Sequence, residues 1–381
     1  MDDIYFSKKP KMNNDSFEIP TINIPDINSE KQNLSDRDNY APYRGKEKKK
    51  KQKNQSDPSP SSSSGKNKKN SGCFAPVRKI AFILVIVFTV SYLLTVGAAM
   101  FSGCGRLSLK RNPYITFNQL HYNPLIKNIL LIGVDGNDSS DSLRSDSMIL
   151  VSLDTVHGKI KLSSFLRDSW IQIPGHKFAK LNAAYAMGGA QLLVDTLEYN
   201  FRININDCFL VDFTMFTDII DALGGIDVEV TPAEAGFINR TTRHTINSGD
   251  SVHLNGDEAL VYCRIRKLDS DYMRTYRQRK VIKAVLDKVR NGELLKTVAA
   301  FFRVIPKIRS NMNPFEIACL AYRTGFSALF FDIVSTRIPT DGTSWSGTEG
   351  TQSVVELDTV ANANYLYDFI YTNYQESADG Q

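Results

Sequence analysis

An α/β fold, a single layered α/β/α domain with a mixed central sheet, is predicted for the chain beyond residue 126. Three observations predict it. Apolar runs at 128–135, 147–154 and 159–166 follow one another closely, with the polar turn 155–158 between the last two. Helical patterns and one further strand pattern then continue to residue 371. Nothing in the region repeats, and no second apolar core sets part of it aside. Continuous apolar strands belong to a sheet covered on both faces, and the helices supply the cover.

The run 128–135 is the first predicted strand and ends in Asp135. If the second strand, 147–154, runs antiparallel to it, Asp135 and Asp146 face each other across the hairpin. The third, 159–166, ends at Arg167-Asp168. Ligand sites in open α/β sheets lie beyond the carboxyl ends of strands, so these termini are candidate site positions. Helices are predicted at 190–199 and at 215–223, the second stopped by Gly224-Gly225. Residues 226–230 alternate as a strand. Helices at 255–266, 276–291, 314–329 and 359–371 complete the domain, which is expected to span 127–374, with 375–381 as a flexible end.

The preceding sequence differs in composition. The chain has 381 residues and a net charge of +5, and lysine-rich runs at 48–51 and 66–69 flank a serine-rich stretch. Residues 1–78 hold few large apolar side chains, too few to offset chain entropy, and are expected to be a disordered basic tail. A charge-free run at 80–101 follows, about 22 residues and so about 33 Å as a helix, enough to cross a bilayer. A transmembrane helix is therefore expected over 79–101, with a linker at 102–126. Basic residues crowd the tail side, so the rule of positive residues inside puts the N-terminus in the cytoplasm and the large domain outside the cell membrane. Phe101-Ser102-Gly103-Cys104 resembles a lipoprotein cleavage box only vaguely, because the leader is too long.

Several classes are excluded. The five cysteines form no Cys-x-x-Cys pair and the five histidines share no metal-ligand spacing, so structural zinc is not expected. Cys208 and Cys263 lie in apolar runs and are expected to be buried thiols. There is no Walker phosphate loop, no Gly-x-Ser-x-Gly elbow and no His-Glu-x-x-His. The tail has no folded DNA-reading motif, and aromatic and basic residues do not interleave as in single-strand binders, so no nucleic-acid partner is expected.

Arginines beside carboxylates carry the chemical signal. They recur in Leu143-Arg144-Ser145-Asp146-Ser147, in Phe165-Leu166-Arg167-Asp168-Ser169, and in Tyr262-Cys263-Arg264-Ile265-Arg266 continuing through Asp271, Arg274, Arg277 and Gln278. An arginine fork matches phosphate oxygens two at a time, and carboxylates suit Mg²⁺. Several forks at one site fit a pyrophosphate. The competing readings are an acidic hairpin loop for Asp135 and Asp146, solvated arginines at 264 and 266, and a salt-bridged first helical turn around Asp271. On a helix Arg264 and Arg266 diverge, whereas at a helix end both can reach one pocket. Arg274 and Arg277, three apart, share a face if the helix covers both.

These motifs together resemble the LytR–CpsA–Psr family of membrane-anchored bacterial enzymes. The resemblance runs from about 128 to about 374. It includes Lys180-Leu-Asn182-Ala-Ala-Tyr185 with Gly188-Gly189, Asp221-Ala-Leu-Gly-Gly225 and Ala259-Leu-Val-Tyr-Cys-Arg264. It implies a phosphotransferase that moves a glycopolymer from a polyprenyl-pyrophosphate carrier to peptidoglycan. It implies Mg²⁺ on Asp135 and Asp146, and catalytic roles for Arg144, Arg167, Asp168, Arg264, Arg266, Asp271 and Arg274. Lys180, Asn182, Arg277 and Gln278 would contact substrate, and apolar residues would line a tunnel for the lipid. Two positions depart from the family pattern: Leu166 stands where proline is usual, and Met273 where glycine often precedes the arginine. The alternatives are hydrolysis of the same carrier, with water as acceptor, and a membrane-anchored regulator with a basic tail.

Overall fold

Residues 105–135, 145–266, 268–291, 304 and 307–374 are described by the computed structural model. The predicted tail, membrane span and C-terminal end, and Arg144 in the hairpin, lie outside the described residues. Among the described residues no helix is long and apolar enough to cross a membrane.

In chain order the strands are β1 (Gly105–Arg106), β2 (Ile126–Val134), β3 (Ser145–Asp154), β4 (Lys159–Phe165), β5 (Ser169–Gln172), β6 (Phe178–Lys180), β7 (Asp207–Val211), β8 (Ile226–Val230), β9 (Gly249–Leu254), β10 (Arg309–Ser310), β11 (Asp332–Ile338), β12 (Ser344–Glu349) and β13 (Gln352–Leu357). The helices are α1 (Leu181–Phe201), α2 (Phe213–Ala222), α3 (Pro232–Thr242), α4 (Gly256–Cys263), α5 (Asp271–Asn291), α6 (Pro314–Phe330) and α7 (Thr359–Tyr371). The central sheet has the order β1-β10-β7-β2-β3-β4-β11. It is mixed: β2, β3 and β4 form an antiparallel meander, while β7 runs parallel to β2 and β11 parallel to β4.

Both faces of this sheet are covered, which is why its strands read as continuous apolar runs. On one face Leu130, Ile132, Val134, Met148 and Leu150 pack with residues of α1 and α7 such as Leu193, Leu197, Leu366 and Phe369. On the other, Leu153, Ile160 and Leu162 meet Ala328 of α6 and Ile282 and Leu286 of α5. A separate cluster joins α2, α3, α4 and the β8–β9 hairpin.

Helix boundaries follow local chemistry. Asp212, Thr231, Asn255, Asn313 and Asp358 each cap a helix by accepting a backbone N–H. Gly224 and Gly225 stop α2 with positive φ of 75° and 83°. Three predicted bounds move. Helix α1 begins at Leu181, not at 190, and non-helical backbone at Gly188 and Gly189 interrupts it, so its first part had been hidden behind the glycines. Helix α5 begins at Asp271 rather than 276. Helix α4 ends at Cys263, which leaves Arg264 and Arg266 beyond it.

The sequence reading contained no second sheet. Strands β12, β13, β5 and β6 form one, in that order. Strand β12 is polar and β13 buries only Val354 and Leu357, so neither carries a continuous apolar run to mark it.

One buried pair ties the sheet to the last helix. Lys161 and Asp154 are both 0% exposed and 2.8 Å apart. Lys161 Nζ also donates to the carbonyls of Ile370 and Thr372 at 2.8 Å, at the end of α7. Lys161→Met should cost about 3–5 kcal/mol, because it takes the lysine cation from a fully buried carboxylate and leaves it only the His157 ring and the N–H groups of Val156 and His157. Denaturant titration checks this; a loss under about 1 kcal/mol would show that Asp154 finds other partners.

Candidate active site

The site begins with an irregularity where β2 meets β3. Gly133 pairs with Ser147, but the next pairing is Val134 with Ser145, so Asp146 is an extra residue opposite no partner. In a regular strand Asp146 and Ser147 would point to opposite faces. The bulge re-aims one of them, and both line the same cavity. Gly133 permits the close approach: a Cβ there would lie 3.0 Å from the Cβ of Ser147.

Arginines converge on this edge from three directions. Arg167, just after β4, donates from Nη1 to Asp146 Oδ1 at 2.7 Å. Its Nε lies 3.3 Å from Asp168 Oδ2 and 3.4 Å from Asp271 Oδ2. Arg274 donates to Asp271 Oδ2 at 3.2 Å, and Arg266 Nε lies 3.6 Å from Asp271 Oδ1. Asp271 thus gathers three guanidinium groups. It also stands in the first turn of α5, where the helix dipole favours an anion. Arg264 stacks on Phe213, 4.2 Å from the ring centroid, and lies 3.8 Å from Asp135. Among the described residues, Nε of Arg167 and Nε of Arg274 have no hydrogen-bond partner.

Charge at this edge is held by mutual compensation. Burial pushes the Asp168 carboxyl up, but the hydrogen bond from Lys180 and the charges of Arg167 and Lys180 outweigh it and hold the group below its ordinary range. Burial pulls Arg274 below the ordinary arginine range, and the charge of Asp271 offsets part of that pull. Cys263 also lines the cavity, but burial pushes its thiol up to about 12, so near neutrality it is no thiolate nucleophile.

Behind this charged mouth lies a cavity of about 310 Å³. Its inner wall is apolar: Leu131 and Ile149 from the sheet, Phe213 and Phe216 from α2, Leu260 from α4 and Ile282 from α5. It occupies the gap between the apolar clusters on that face of the sheet.

The predicted residues divide into groups. Asp135, Asp146, Arg264, Arg266, Arg274 and Gln278 line the cavity, and Gln278 accepts a hydrogen bond from Ser147 at 2.9 Å. Arg167, Asp168, Asp271 and Lys180 join them through the ion pairs above and the 2.8 Å bond from Lys180 to Asp168. Asn182 is buried, and its backbone N–H donates to the carbonyl of Arg167, which fixes that main chain. Helix α5 covers both Arg274 and Arg277, as a shared face requires, but Arg277 corrects the expectation of a substrate contact. It is 1% exposed and donates from Nε to Glu234 at 2.6 Å, and it also binds Asp269 and the carbonyl of Ile265. It braces the loop carrying Arg264 and Arg266 and does not reach the cavity. Phe213 and Phe216 were not singled out from the sequence. Their signal is an i, i+3 aromatic pair directly after the carboxyl end of β7.

Leu166 has a local reason. Its N–H donates to the carbonyl of Ile338 at 2.9 Å, a bond that proline cannot make. Met273 lies on an ordinary helical turn, half-exposed, where glycine is not required.

Fold and site define an α/β domain with an arginine–carboxylate mouth over an apolar cavity. The LytR_cpsA_psr family model matches residues 108–365, and the chain belongs to that family. Over 191 residues it is 32% identical to the polyisoprenyl-teichoic acid–peptidoglycan teichoic acid transferase TagT of Bacillus subtilis, which covers 49% of this chain and 58% of that protein. Over 190 residues it is 37% identical to the transferase of the same description, TagU, of Bacillus cereus, covering 49% and 59%. The matched segment therefore spans less than two-thirds of either relative. Its fold matches the TagT structure with bound octaprenyl pyrophosphate lipid at a TM-score of 0.54 and 23% identity, over 70% of this chain and 99% of that one.

Proposed function

We propose that this chain is a phosphotransferase that moves a glycopolymer from a polyprenyl-pyrophosphate carrier to peptidoglycan, leaving a phosphodiester. The observation that carries this is the joining of a cationic mouth to an apolar cavity. A pyrophosphate with an apolar tail is a ligand of that form. The relatives' names and the lipid in the TagT structure support the same reading.

The chemistry is an in-line displacement. An acceptor hydroxyl oxygen forms a bond to the polymer-bearing phosphorus and releases its proton to solvent. The bridging P–O bond breaks, and its electron pair leaves on polyprenyl phosphate. Arg167, Arg264, Arg266 and Arg274 grip the phosphate oxygens as charge moves onto the leaving oxygen, and Asp168, Asp271 and Lys180 hold those arginines in place. The apolar wall takes the lipid segment next to the head group. Transfer is tested with a lipid-pyrophosphate donor, with and without peptidoglycan. Polymer should appear on peptidoglycan, and release of free polymer in both arms would mean hydrolysis instead.

Asp135 and Asp146 suit Mg²⁺. Both are carboxylates at one mouth, with side chains 55% and 37% exposed. Among the described residues no group of three acidic, His or Cys side chains could hold a metal ion. Asp135 and Asp146 would therefore hold the ion together with substrate and water oxygens, as is common for Mg²⁺. When bound it supplies positive charge to the pyrophosphate oxygens. Asp146→Ala should weaken Mg²⁺ binding at least tenfold in the presence of a pyrophosphate lipid. Unchanged affinity by calorimetry would remove the metal role.

The run 80–101 anchors the chain in the cell membrane, with the N-terminus cytoplasmic and the domain outside, in this proposal. Alkaline carbonate should leave the full chain in the membrane fraction. Release into the supernatant would refute the anchor.

A further inference from the structure

Beyond the mouth, helix α5 buries a third arginine after Arg274 and Arg277, and this one has no counter-charge among the described residues. Arg279 is 7% exposed, and its Nε and Nη1 have no hydrogen-bond partner among the described residues. No carboxylate pairs with it in any described ion pair. Its charged neighbour is another cation, Arg337 of β11, which pulls it down further after burial does, to about 10, so it remains charged near neutrality. Arg337 pairs with Asp341, which is almost wholly exposed, and its own Nε is buried without a partner.

The sheet explains why these groups meet. Ile149, Ser164 and Arg337 are cross-strand partners on β3, β4 and β11, so their side chains share a face. Ile149 lines the active-site cavity, which places that face under α5. Helix α5 packs on β4 and β11, and its Gln278, next to Arg279, lines the same cavity. Ser164 Oγ is also buried without a partner. Arg279, Ser164 and the Nε of Arg337 thus keep buried donors without partners, on or over the sheet face that carries Ile149. Solvent approaches past Arg337, 30% exposed, and past Tyr276, whose ring lies 5.9 Å from the Arg279 guanidinium carbon. A buried cation without a partner is costly, and the cost is recovered only when an anion arrives.

We propose that Arg279, Arg337 and Ser164 form a subsite for a second phosphate-class oxyanion, separate from the group held by Arg167, Arg264, Arg266 and Arg274. Tetrahedral phosphate has enough acceptor oxygens for two guanidinium groups and a hydroxyl at once. Two sources share this chemistry: free inorganic phosphate, and a phosphate within the glycopolymer whose pyrophosphate end sits in the mouth. The second source rests on the function proposed above; the subsite itself does not.

The test begins with inorganic phosphate and the full-length protein in detergent, carrying Arg264→Gln and Arg266→Gln to weaken the mouth. Phosphate should still raise its melting temperature. Adding Arg279→Met should abolish the rise, and Arg337→Gln should weaken phosphate binding at least tenfold. In phosphate-free buffer Arg279→Met should leave the melting temperature unchanged or higher, since it removes an uncompensated buried charge. A lower melting temperature in both buffers would mean that Arg279 is a structural residue with a satisfied partner, and would overturn the subsite. So would a phosphate response that survives Arg279→Met and Arg337→Gln together. In transfer assays, a KM raised by Arg279→Met only for phosphate-bearing polymers identifies the polymer as the source. An equal KM for charged and neutral polymers identifies free phosphate. Loss of pyrophosphate-lipid binding in the Arg264→Gln, Arg266→Gln protein separately tests the mouth.

Discussion

Arg266→Lys should lose most transfer activity, about 10²–10³-fold in kcat, while the protein melts normally. Lysine keeps the charge but presents a point cation in place of a planar fork, so it cannot grip two phosphate oxygens together. The loss belongs in kcat because the grip tightens as charge develops on the leaving oxygen. Stability should hold because the Arg266 side chain is 41% exposed and its ion-pair partner Asp271 lies 3.6 Å away. Surface changes of this kind stay within about 0.5 kcal/mol. A lipid-pyrophosphate transfer assay beside a melting curve decides the matter. Turnover near the parent's, or a collapse in melting temperature, would place the phosphate grip elsewhere.

Arg277→Met should have the opposite profile. Its guanidinium is buried and bound to Glu234, Asp269 and the carbonyl of Ile265. Removing it leaves Glu234 buried without its cation, at a cost of about 3–5 kcal/mol. For a domain of this size that lowers the melting temperature by about 10 °C. Activity should fall as well, because Ile265 lies between Arg264 and Arg266 and the loop loses its brace. The same pair sets an acid limit. Burial pushes the Glu234 carboxyl up, but Arg277 together with hydrogen bonds from Thr231 outweighs burial and holds it below its ordinary range. A carboxyl depressed on folding gives stability that is complete above its unfolded value and is lost as pH falls through the folded one. Asp154 acts in the same direction: burial raises it, and Lys161 and His157 bring it below its ordinary range. Melting temperature should therefore decline below about pH 4, less steeply in Glu234→Gln. An unchanged acid profile in that variant would mean that the pair contributes no pH dependence.

Much of the fold was legible because periodicity and caps are local. The meander 128–166 and the stop at Gly224-Gly225 could be read from neighbouring residues alone. The short strands β12 and β13 could not, since neither has a continuous apolar run and their place depends on the pairing of β13 with β5, far away in the chain. The first part of α1 lay behind a glycine break, and the first turn of α5 holds charged residues whose spacing carries no apolar stripe.

The site divides on the same line. Sequence alone determined the residue types: arginines beside carboxylates at strand and helix ends, which raise the expectation of an anionic ligand and, untested by the fold, of a divalent metal. Tertiary structure decided which arginine does what. Arg274 and Arg277 are three apart on one helix, yet one reaches Asp271 at the cavity and the other is sealed against Glu234. Nothing in the sequence singles out Arg279, and the tertiary structure buries it beside Arg337. Sequence fixes what a side chain can donate. Burial and partners, which come from elements distant in the chain, decide whether that donor is spent on the fold or remains for a ligand.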